Sequence, residues 1–242
     1  MRILVTNDDG IRAEGLYHLA AMAAKLGEVW VVAPKRQASA MSHGITLHRD
    51  MELRLIRDFP VDGVHRAYSL DAKPADCVRM VMNSDLMPAR PDLVLSGVNR
   101  GENAGFDVQY SATVGCGMEA LLYDVPAICF SLHVNGSFSE WDRAMEDITR
   151  DLMTRDTPER ALWNVNFPAC TAAECKGILE DRFISQMASF DDTYLLQDHP
   201  EEDAWNVHLL GIPVTQADEG SDIQALLDNY ISIGHVVNTA LI

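Results

Sequence analysis

Long apolar runs and basic residues are both scarce in this chain. No apolar run approaches the roughly 18 residues that a membrane-spanning helix needs, and the N-terminus is not a basic, apolar leader. Only 19 of the 242 residues are Lys or Arg, against 36 Asp or Glu, and the formal net charge is −17. A nucleic-acid groove needs a basic stripe, so this charge argues against binding nucleic acid. We expect a cytoplasmic protein with no membrane partner.

Cysteines are also few, and one common cofactor motif is missing. Of the five cysteines, only Cys170 and Cys175 lie near each other, and they do not form a CxxC pair. Reduced thiols are therefore expected rather than a disulfide or zinc framework. No GxGxxG loop follows the first predicted strand, which disfavours a dinucleotide cofactor.

The order of apolar segments predicts an α/β fold. Apolar residues make up 48% of the chain, enough to fill a core. Ile3–Val5 form a continuous apolar run that is typical of a strand buried on both faces, and a helix with its last apolar residue at Leu26 and a C-terminal Gly27 follows. Residues 28–33 form a second strand that stops at Pro34. We expect a Rossmann-like three-layer α/β/α fold with a mostly parallel sheet.

The remaining segments divide the chain into two parts. Residues 1–168 are predicted to form the Rossmann-like catalytic core, and residues 169–242 a strand-rich C-terminal extension with a short helix that packs on the core and on a partner subunit. Further strands are predicted at 45–55 (a hairpin turning near 48–50), 64–68, 92–96, 126–132, 161–167, 178–184, 193–196, 205–210 and 230–237. Further helices are predicted from Pro74, from Ser111, from a cap at Ser139 and from Ser221.

Two adjacent carboxylates follow the first strand. Asn7, Asp8, Asp9 and Gly10 end the apolar run, which places both acids at the carboxyl end of the strand, where open parallel sheets bind ligands. Side-by-side carboxylates repel each other unless one takes up a proton or a cation lies between them. A hard divalent cation is the usual solution, and it would also reverse the local field for an anionic substrate. The alternative is an ordinary solvated turn in which one Asp caps the next helix.

Two later loops contain polar residues after predicted strands. The loop 34–44 is polar and basic, and Ser39, Ser42 and His43 are its candidate chemical groups. The loop 97–105 is rich in Gly and Asn, and the helix beginning at Ser111 has Thr113 in its first turn. Small side chains and free backbone N–H groups there suit a phosphate, although a capped core helix explains the same pattern.

Seven motifs in order carry a resemblance to a known family. They are ILVTNDDG, SerxxSerHis after AlaPro, PADCV, PDLVLSGVN, YSATVG, NVNFP and SDIQALLDNYISI. Together, and at compatible spacing across nearly the whole chain, they resemble the survival protein SurE family.

The resemblance implies an activity, a metal site and an assembly. It implies a divalent-metal-dependent phosphatase that hydrolyses nucleoside 5′- and 3′-monophosphates, and in some members short polyphosphate. Carried over by position, the metal ligands are Asp8, Asp9, Ser39 and Asn99, which would hold one Mg²⁺ or Mn²⁺ per subunit, with Ca²⁺ as a third candidate. The resemblance also implies a homodimer or homotetramer that exchanges a C-terminal segment.

The predicted chemistry assigns further roles. Asp8 and Asp9 would hold the cation, which would bind a phosphate oxygen as a Lewis acid and orient or activate the attacking water. His43 is a candidate proton donor to the leaving nucleoside alkoxide. The candidate phosphate-binding residues are Asn7, Ser96, Gly97, Ser111 and Thr113. The chain departs from the family pattern at Ala40 and Ala112, where its members often have Gly, and an alanine disfavours positive φ. It also has Gly234-His235-Val236 in place of the usual closing Thr-Pro-Leu.

Two other classes of protein are alternatives. A signalling receiver domain also places an acidic pair after its first strand, but it needs an Asp at the end of a central strand, where this chain has Ser96 and Asn99. This chain is also about twice as long as such a domain. A nucleotide-binding sensor without turnover is the other alternative. Release of phosphate from AMP separates the enzyme from the sensor.

Overall fold

A nine-stranded sheet runs through the molecule, with helices on both faces. The computed structural model describes residues 1–158 and 160–241. The strands are β1 (Arg2–Thr6), β2 (Glu28–Pro34), β3 (Leu53–Leu55), β4 (Val64–Leu70), β5 (Leu93–Arg100), β6 (Ala127–Leu132), β7 (Ala161–Phe167), β8 (Ile178–Arg182), β9 (Phe190–Asp198), β10 (Trp205–Pro213) and β11 (Ile231–Val237). The helices are α1 (Glu14–Ala23), α2 (Pro74–Met82), α3 (Ala112–Leu121), α4 (Phe138–Leu152) and α5 (Asp222–Leu227).

The strand order confirms the predicted Rossmann-like sheet. It is β3-β4-β2-β1-β5-β6-β7-β11-β8, and the six strands from β4 to β7 in that order are parallel. Beyond them, β3 is antiparallel to β4, and β11 is antiparallel to β7. After β1 the chain builds one side of the sheet and then crosses to β5 on the other. The carboxyl ends of β1 and β5 therefore flank a topological switch point, where such sheets bind ligands.

Helices cover each face of the sheet in pairs. Ile3 and Val5 of β1 pack in the same core as α1 and α4, whereas Leu4 faces the core formed with α2 and α3. Successive strand residues point to opposite faces, so a strand buried on both sides is apolar throughout. This arrangement explains why the first strand reads as an unbroken apolar run.

The C-terminal part adds two strands to the main sheet and also forms a separate hairpin. Strands β8 and β11 extend the main sheet, while β9 and β10 form a separate two-stranded antiparallel hairpin. Every residue of the two hairpin strands is exposed. The division at residue 168 stays a prediction.

The predicted hairpin at residues 45–55 is wrong. Only β3 forms there, and it pairs with β4 instead. The alternating apolar residues that suggested a hairpin are not a buried face, since Leu47 is 62% and Met51 40% exposed. His48 has a φ of 62°, in the left-handed region, which interrupts any extended run.

Several element boundaries also differ from the prediction. Helix α1 ends at Ala23, before the predicted Gly27, whose missing Cβ instead makes room for the Met1 carbonyl. Helix α4 has Ser137 rather than Ser139 at its N-cap position, which brings Phe138 into the core. Strand β5 continues through the predicted loop to Arg100, with an irregularity between Ser96 and Asn99.

No helix within residues 1–158 and 160–241 combines the length and the apolar character needed to cross a membrane. All five cysteines are free thiols, as expected, and Cys77, Cys116 and Cys129 are buried.

Candidate active site

The acidic turn after β1 is held by its own asparagine. The Asn7 side chain donates to the Gly10 carbonyl at 3.1 Å and accepts from the Gly10 N–H at 3.2 Å, while Gly10 has a φ of 102°. The Asp8 carbonyl accepts from the Ala38 N–H at 2.8 Å, which ties the turn to the loop after β2. Both polar ends of the Asn7 side chain therefore bond within the turn. Its predicted contact with a phosphate stays a prediction.

Asp8 is a buried carboxylate fixed by helix α3. Its side chain is 3% exposed, and Oδ1 accepts a hydrogen bond from the Thr113 hydroxyl at 2.6 Å. Burial raises the pKa of Asp8 to about 6, the Thr113 hydrogen bond opposes that rise, and the neighbouring Asp9 charge adds to it. The folded chain therefore keeps this acid in a place where a negative charge is costly without a positive partner.

Asp9 connects two other loops of the site. Its Oδ1 accepts from Gln37 Nε2 at 3.3 Å, and its Oδ2 accepts from the Arg100 backbone N–H at 3.3 Å. Gln37 Nε2 also lies 3.1 Å from Ser39 Oγ, so one amide joins Asp9 to Ser39. Burial raises the pKa of Asp9, and the hydrogen bonds from Arg100 and Gln37 oppose the rise.

Asn99 lies at the end of β5, next to the residue that binds Asp9. Its Nδ2 donates to the Gly101 carbonyl at 2.8 Å, which leaves the side-chain oxygen for another partner. Ser39 is exposed and Asn99 is half-buried. The predicted ligands Asp8, Asp9, Ser39 and Asn99 thus come from the carboxyl ends of β1, β2 and β5, at the switch point of the sheet.

The chemistry of these donors fits a hard divalent cation. All four side chains offer oxygen, which Mg²⁺, Mn²⁺ and Ca²⁺ prefer over nitrogen or sulfur. Burial raises the pKa of both adjacent carboxylates, and the Arg100 charge opposes that rise only at Asp9. In the part of the chain that the structure describes, no group of three or more His, Cys, Asp or Glu side chains is placed to hold a metal, so a site here depends on Ser39 and Asn99.

The start of helix α3 adjoins the acidic turn. Ser111 caps the helix by accepting from the Val114 N–H at 3.1 Å, as predicted. Ser96 donates to the Thr113 carbonyl at 2.8 Å, and both residues are fully buried. At Gly97, a Cβ would collide with the Phe130 carbonyl. Of the candidate phosphate-binding residues, Ser111 and Thr113 therefore lie at the N-terminus of α3 and Ser96 contacts it, while Gly97 packs against β6.

The loop after β2 is strained where the family often has glycine. Ala40 has a φ of 57° and Ser42 a φ of 52°, both in the left-handed region. Ser42 is anchored, since its N–H donates to the Tyr110 carbonyl at 2.9 Å and its hydroxyl to the Gln109 carbonyl at 2.6 Å. Ala112 begins α3 with ordinary helical geometry. The missing Gly thus costs backbone strain at position 40 and not at position 112.

His43 contacts a buried acid that the sequence analysis did not identify. Its Nε2 lies 2.7 Å from Glu119 Oε2, and Arg79 Nη1 donates to Glu119 Oε1 at 3.2 Å. Burial would raise the pKa of Glu119, but the hydrogen bond from His43 and the Arg79 charge outweigh it and hold that pKa below its usual value. An acid within the otherwise apolar helix α3 was the signal available in the sequence.

Arg100 is a second residue of the site that the sequence patterns did not indicate, and it lies beside Asp9. Arg100 donates from Nη1 to the Val134 carbonyl at 3.0 Å and to the Gly136 carbonyl at 3.2 Å, and its guanidinium carbon lies 4.4 Å from the centre of the Phe138 ring. A lone Arg in a glycine-rich loop gave no sign of these partners, because they lie more than 30 residues away along the chain.

Comparisons with known proteins identify a family. A family model described as Survival protein SurE matches residues 3–189. The 5′-nucleotidase SurE of Alkaliphilus metalliredigens is 38% identical over 237 residues, spanning 96% of this chain and 91% of the relative. The 5′-nucleotidase SurE 1 of Thermus thermophilus is 38% identical over 236 residues, spanning 96% and 90%.

A solved structure shares the fold. The crystal structure of the SurE protein from Aquifex aeolicus matches with a TM-score of 0.83 and 31% sequence identity, covering 98% of this chain and 93% of that one. The family model and the two relatives span most of the chain, including all the residues of the acidic site. The chain therefore belongs to the SurE family.

Proposed function

We propose that the protein is a metal-dependent phosphomonoesterase that hydrolyses nucleoside 5′-monophosphates to nucleoside and phosphate. The observation that carries the proposal is the acidic pair at the switch point, in which Asp8 is buried and held by Thr113 at the start of α3 and Asp9 is half-buried beside it. The relatives named 5′-nucleotidase SurE support the choice of substrate. We extend the proposal to 3′-monophosphates and to short polyphosphate as substrates to be tested.

Asp8, Asp9, Ser39 and Asn99 would hold one divalent cation, Mg²⁺ or Mn²⁺, with Ca²⁺ as a third candidate. When bound there, such an ion supplies Lewis-acid polarisation of a phosphoryl oxygen and offsets the two carboxylate charges. Thr113 fixes one Asp8 oxygen, and the Arg100 N–H and Gln37 fix Asp9. These hydrogen bonds orient the acids before any substrate arrives.

The N-terminus of α3 binds the phosphate group in this scheme. Its first backbone N–H groups have no partner within the helix, and the helix dipole favours an anion at that end. The Thr113 hydroxyl is already committed to Asp8, so Thr113 contributes its backbone N–H, while Ser111 lines the same turn. Helix α3 thus orients Asp8 and also binds the negatively charged phosphate. Without such a site, the protein's net charge of −17 would repel an anionic substrate.

His43 is the candidate acid for the leaving nucleoside oxygen. Its Nε2 is held by Glu119, so transfer of a proton to the nucleoside has to use Nδ1. Glu119 would fix the orientation of the imidazole through this contact.

We also propose that the subunits assemble as a homodimer or homotetramer through the hairpin β9–β10. Tyr194, Leu196, Val207 and Leu209 form adjacent cross-strand pairs on one hairpin face, and each is at least 53% exposed. An isolated two-stranded hairpin is only marginally stable in water, and an apolar face of this size is typical of an interface.

The cytoplasmic location stays a prediction from the sequence.

The test is release of phosphate from a panel of 5′- and 3′-nucleoside monophosphates with Mg²⁺, Mn²⁺ or Ca²⁺, and after treatment with a chelator. We expect turnover of 5′-monophosphates that stops with the chelator and returns when the ion is restored, and that Asp8→Asn abolishes. Nucleotide binding without turnover under every ion would contradict the proposal and indicate a sensor.

A further inference from the structure

A groove opens directly from Asp9 on the side away from helix α3. It is lined by Asp9, Glu14, Gln37, Arg100, Val134 and Phe138 and has a volume of about 350 Å³. That volume falls within the range of about 300–1,000 Å³ that is typical of small-molecule sites. A substrate whose phosphate lies at the acidic pair has this groove as an adjoining space.

Arg100 is held rigid along one wall of the groove. Its Nη1 donates to the Val134 and Gly136 carbonyls at 3.0 and 3.2 Å, and its Nη2 lies 3.5 Å from Glu14 Oε2. The inner face of the guanidinium covers the ring of Phe138, which is only 4% exposed. Long arginine side chains are usually mobile on a surface, whereas this one is fixed in a single plane.

These contacts leave the outer face of the Arg100 guanidinium available to a ligand. Three of the hydrogen bonds that its guanidinium edge can donate go to protein oxygens, so that edge is poorly placed to clamp a phosphate. The side chain is nevertheless 41% exposed. A flat guanidinium with a free face is a surface on which nucleobases stack.

The charges around the groove favour a neutral group there. Asp9 and Glu14 line it beside Arg100, so a second anion would meet two carboxylates and only one cation. An uncharged aromatic base meets no such repulsion, and it gains from stacking on a cation. The phosphate therefore belongs at the α3 end and the base in the groove.

We propose that Arg100 is a specificity-determining residue that stacks on the nucleobase of the substrate and so selects nucleotides over phosphate esters without a base. The inference rests on the proposed function. Stacking requires an aromatic plane and little else, so this contact selects for the presence of a base and discriminates weakly among the four bases.

The experiment compares AMP with ribose 5-phosphate, which lacks the base. We expect Arg100→Ala to raise the KM for AMP about tenfold, in line with stacking energies, and to change the KM for ribose 5-phosphate less than twofold. Arg100→Lys keeps the charge without the plane, and we expect it to behave like the alanine variant. The matched control is Arg143→Ala on α4, which removes an arginine that is 95% exposed and outside the groove.

Two results would overturn the proposal. One is an equal rise in KM for both substrates in Arg100→Ala, and the other is a normal KM for AMP in Arg100→Lys, which would show that charge alone matters. If the alanine variant does not fold, the lysine variant carries the same comparison.

A binding measurement separates this inference from the proposed function. Calorimetric titration of the intact protein with adenosine and with ribose needs no turnover. We expect adenosine to bind more tightly than ribose to the wild type, and Arg100→Ala to remove most of that difference. No difference between adenosine and ribose in the wild type contradicts the stacking site. Absence of turnover with a normal adenosine preference contradicts only the proposed function.

Discussion

Asp8 combines deep burial with a negative charge, and this combination has a cost that depends on pH. Its folded-state pKa is about 6, against an ordinary value of 3.8. Between these values the folded chain holds a proton that the unfolded chain has released, so without a cation the free energy of unfolding falls as the pH rises from about 4 to about 6. The penalty is complete above pH 6 and amounts to about 2–3 kcal/mol.

Asp8→Asn should therefore stabilise the chelator-treated protein at pH 7.5 while abolishing activity. We expect a gain of about 2 kcal/mol in urea unfolding at pH 7.5 and none at pH 4, because the amide oxygen still accepts from Thr113 and carries no charge. Adding Mn²⁺ should raise the melting temperature of the wild type and leave that of the variant unchanged. If the Asp8→Asn protein is less stable than the wild type at pH 7.5 without ions, the buried charge of Asp8 does not destabilise the folded chain.

Glu119 shows the opposite case, a buried acid that is fully partnered. Glu119→Ala leaves His43 and Arg79 without their shared acceptor, and we expect a loss of about 2 kcal/mol in urea unfolding. Glu119→Gln keeps an acceptor for one of them and should lose less. The control is Glu180→Ala, which breaks the exposed pair with Arg155 and should cost under about 1 kcal/mol. Equal losses in the two alanine variants would mean that burial adds nothing to the Glu119 contacts.

At the scale of elements, helix α1 reaches the end of β5 only because position 15 is glycine. A Cβ on Gly15 would collide with the Val98 carbonyl and lie 3.0 Å from Phe138 Cε1. Val98 precedes Asn99, so the contact between helix and strand also sets where Asn99 lies.

Gly15→Ala should destabilise the protein even though alanine is the better helix former. Helix propensity alone would stabilise by about 1 kcal/mol, whereas overpacking against backbone costs about 1–3 kcal/mol. We expect net destabilisation in urea and at least a tenfold loss of phosphate release through displacement of Asn99. The control is Ala21→Gly at an exposed position of the same helix, which should lower stability by about 1 kcal/mol and leave turnover unchanged. A gain in stability for Gly15→Ala would contradict the close contact.

Local sequence patterns predicted the elements well where the apolar residues of a segment are buried in the fold. Strand β7 matches its predicted range, and Ser111 caps α3 as its position indicated. The 45–55 hairpin failed because alternation in Leu47 and Met51 indicates a buried face only if something packs on it.

The candidate site was predictable in part for a similar reason. Parallel strands bring their carboxyl ends to one edge, so the acids and the loops after β2 and β5 had to meet. An acid within the apolar helix α3 was a signal for Glu119, but the contacts of Glu119 and Arg100 were not predictable, because their partners come from other elements that only the folded chain brings beside them.

For the whole molecule, the apolar face of the hairpin β9–β10 should control assembly. We expect the double variant Leu196→Asp with Val207→Asp to be monomeric by light scattering at concentrations where the wild type is a dimer or tetramer. The matched control is Gln197→Asp with Asn206→Asp on the next cross-strand pair, which adds the same charge to the opposite face. A monomeric wild type, or an apolar-face variant that assembles like the control, would rule out this interface.

The two hairpin strands pair with each other and with no strand of the main sheet in the described chain. A hairpin transplanted from a relative would therefore leave the nine-stranded sheet and the acidic turn in place. If the hairpin is the interface, as proposed, the residues that recognise a partner subunit lie outside the sheet that holds the acidic turn. Chimeras that differ only at residues 190–213 should then form separate assemblies and keep the same acidic turn.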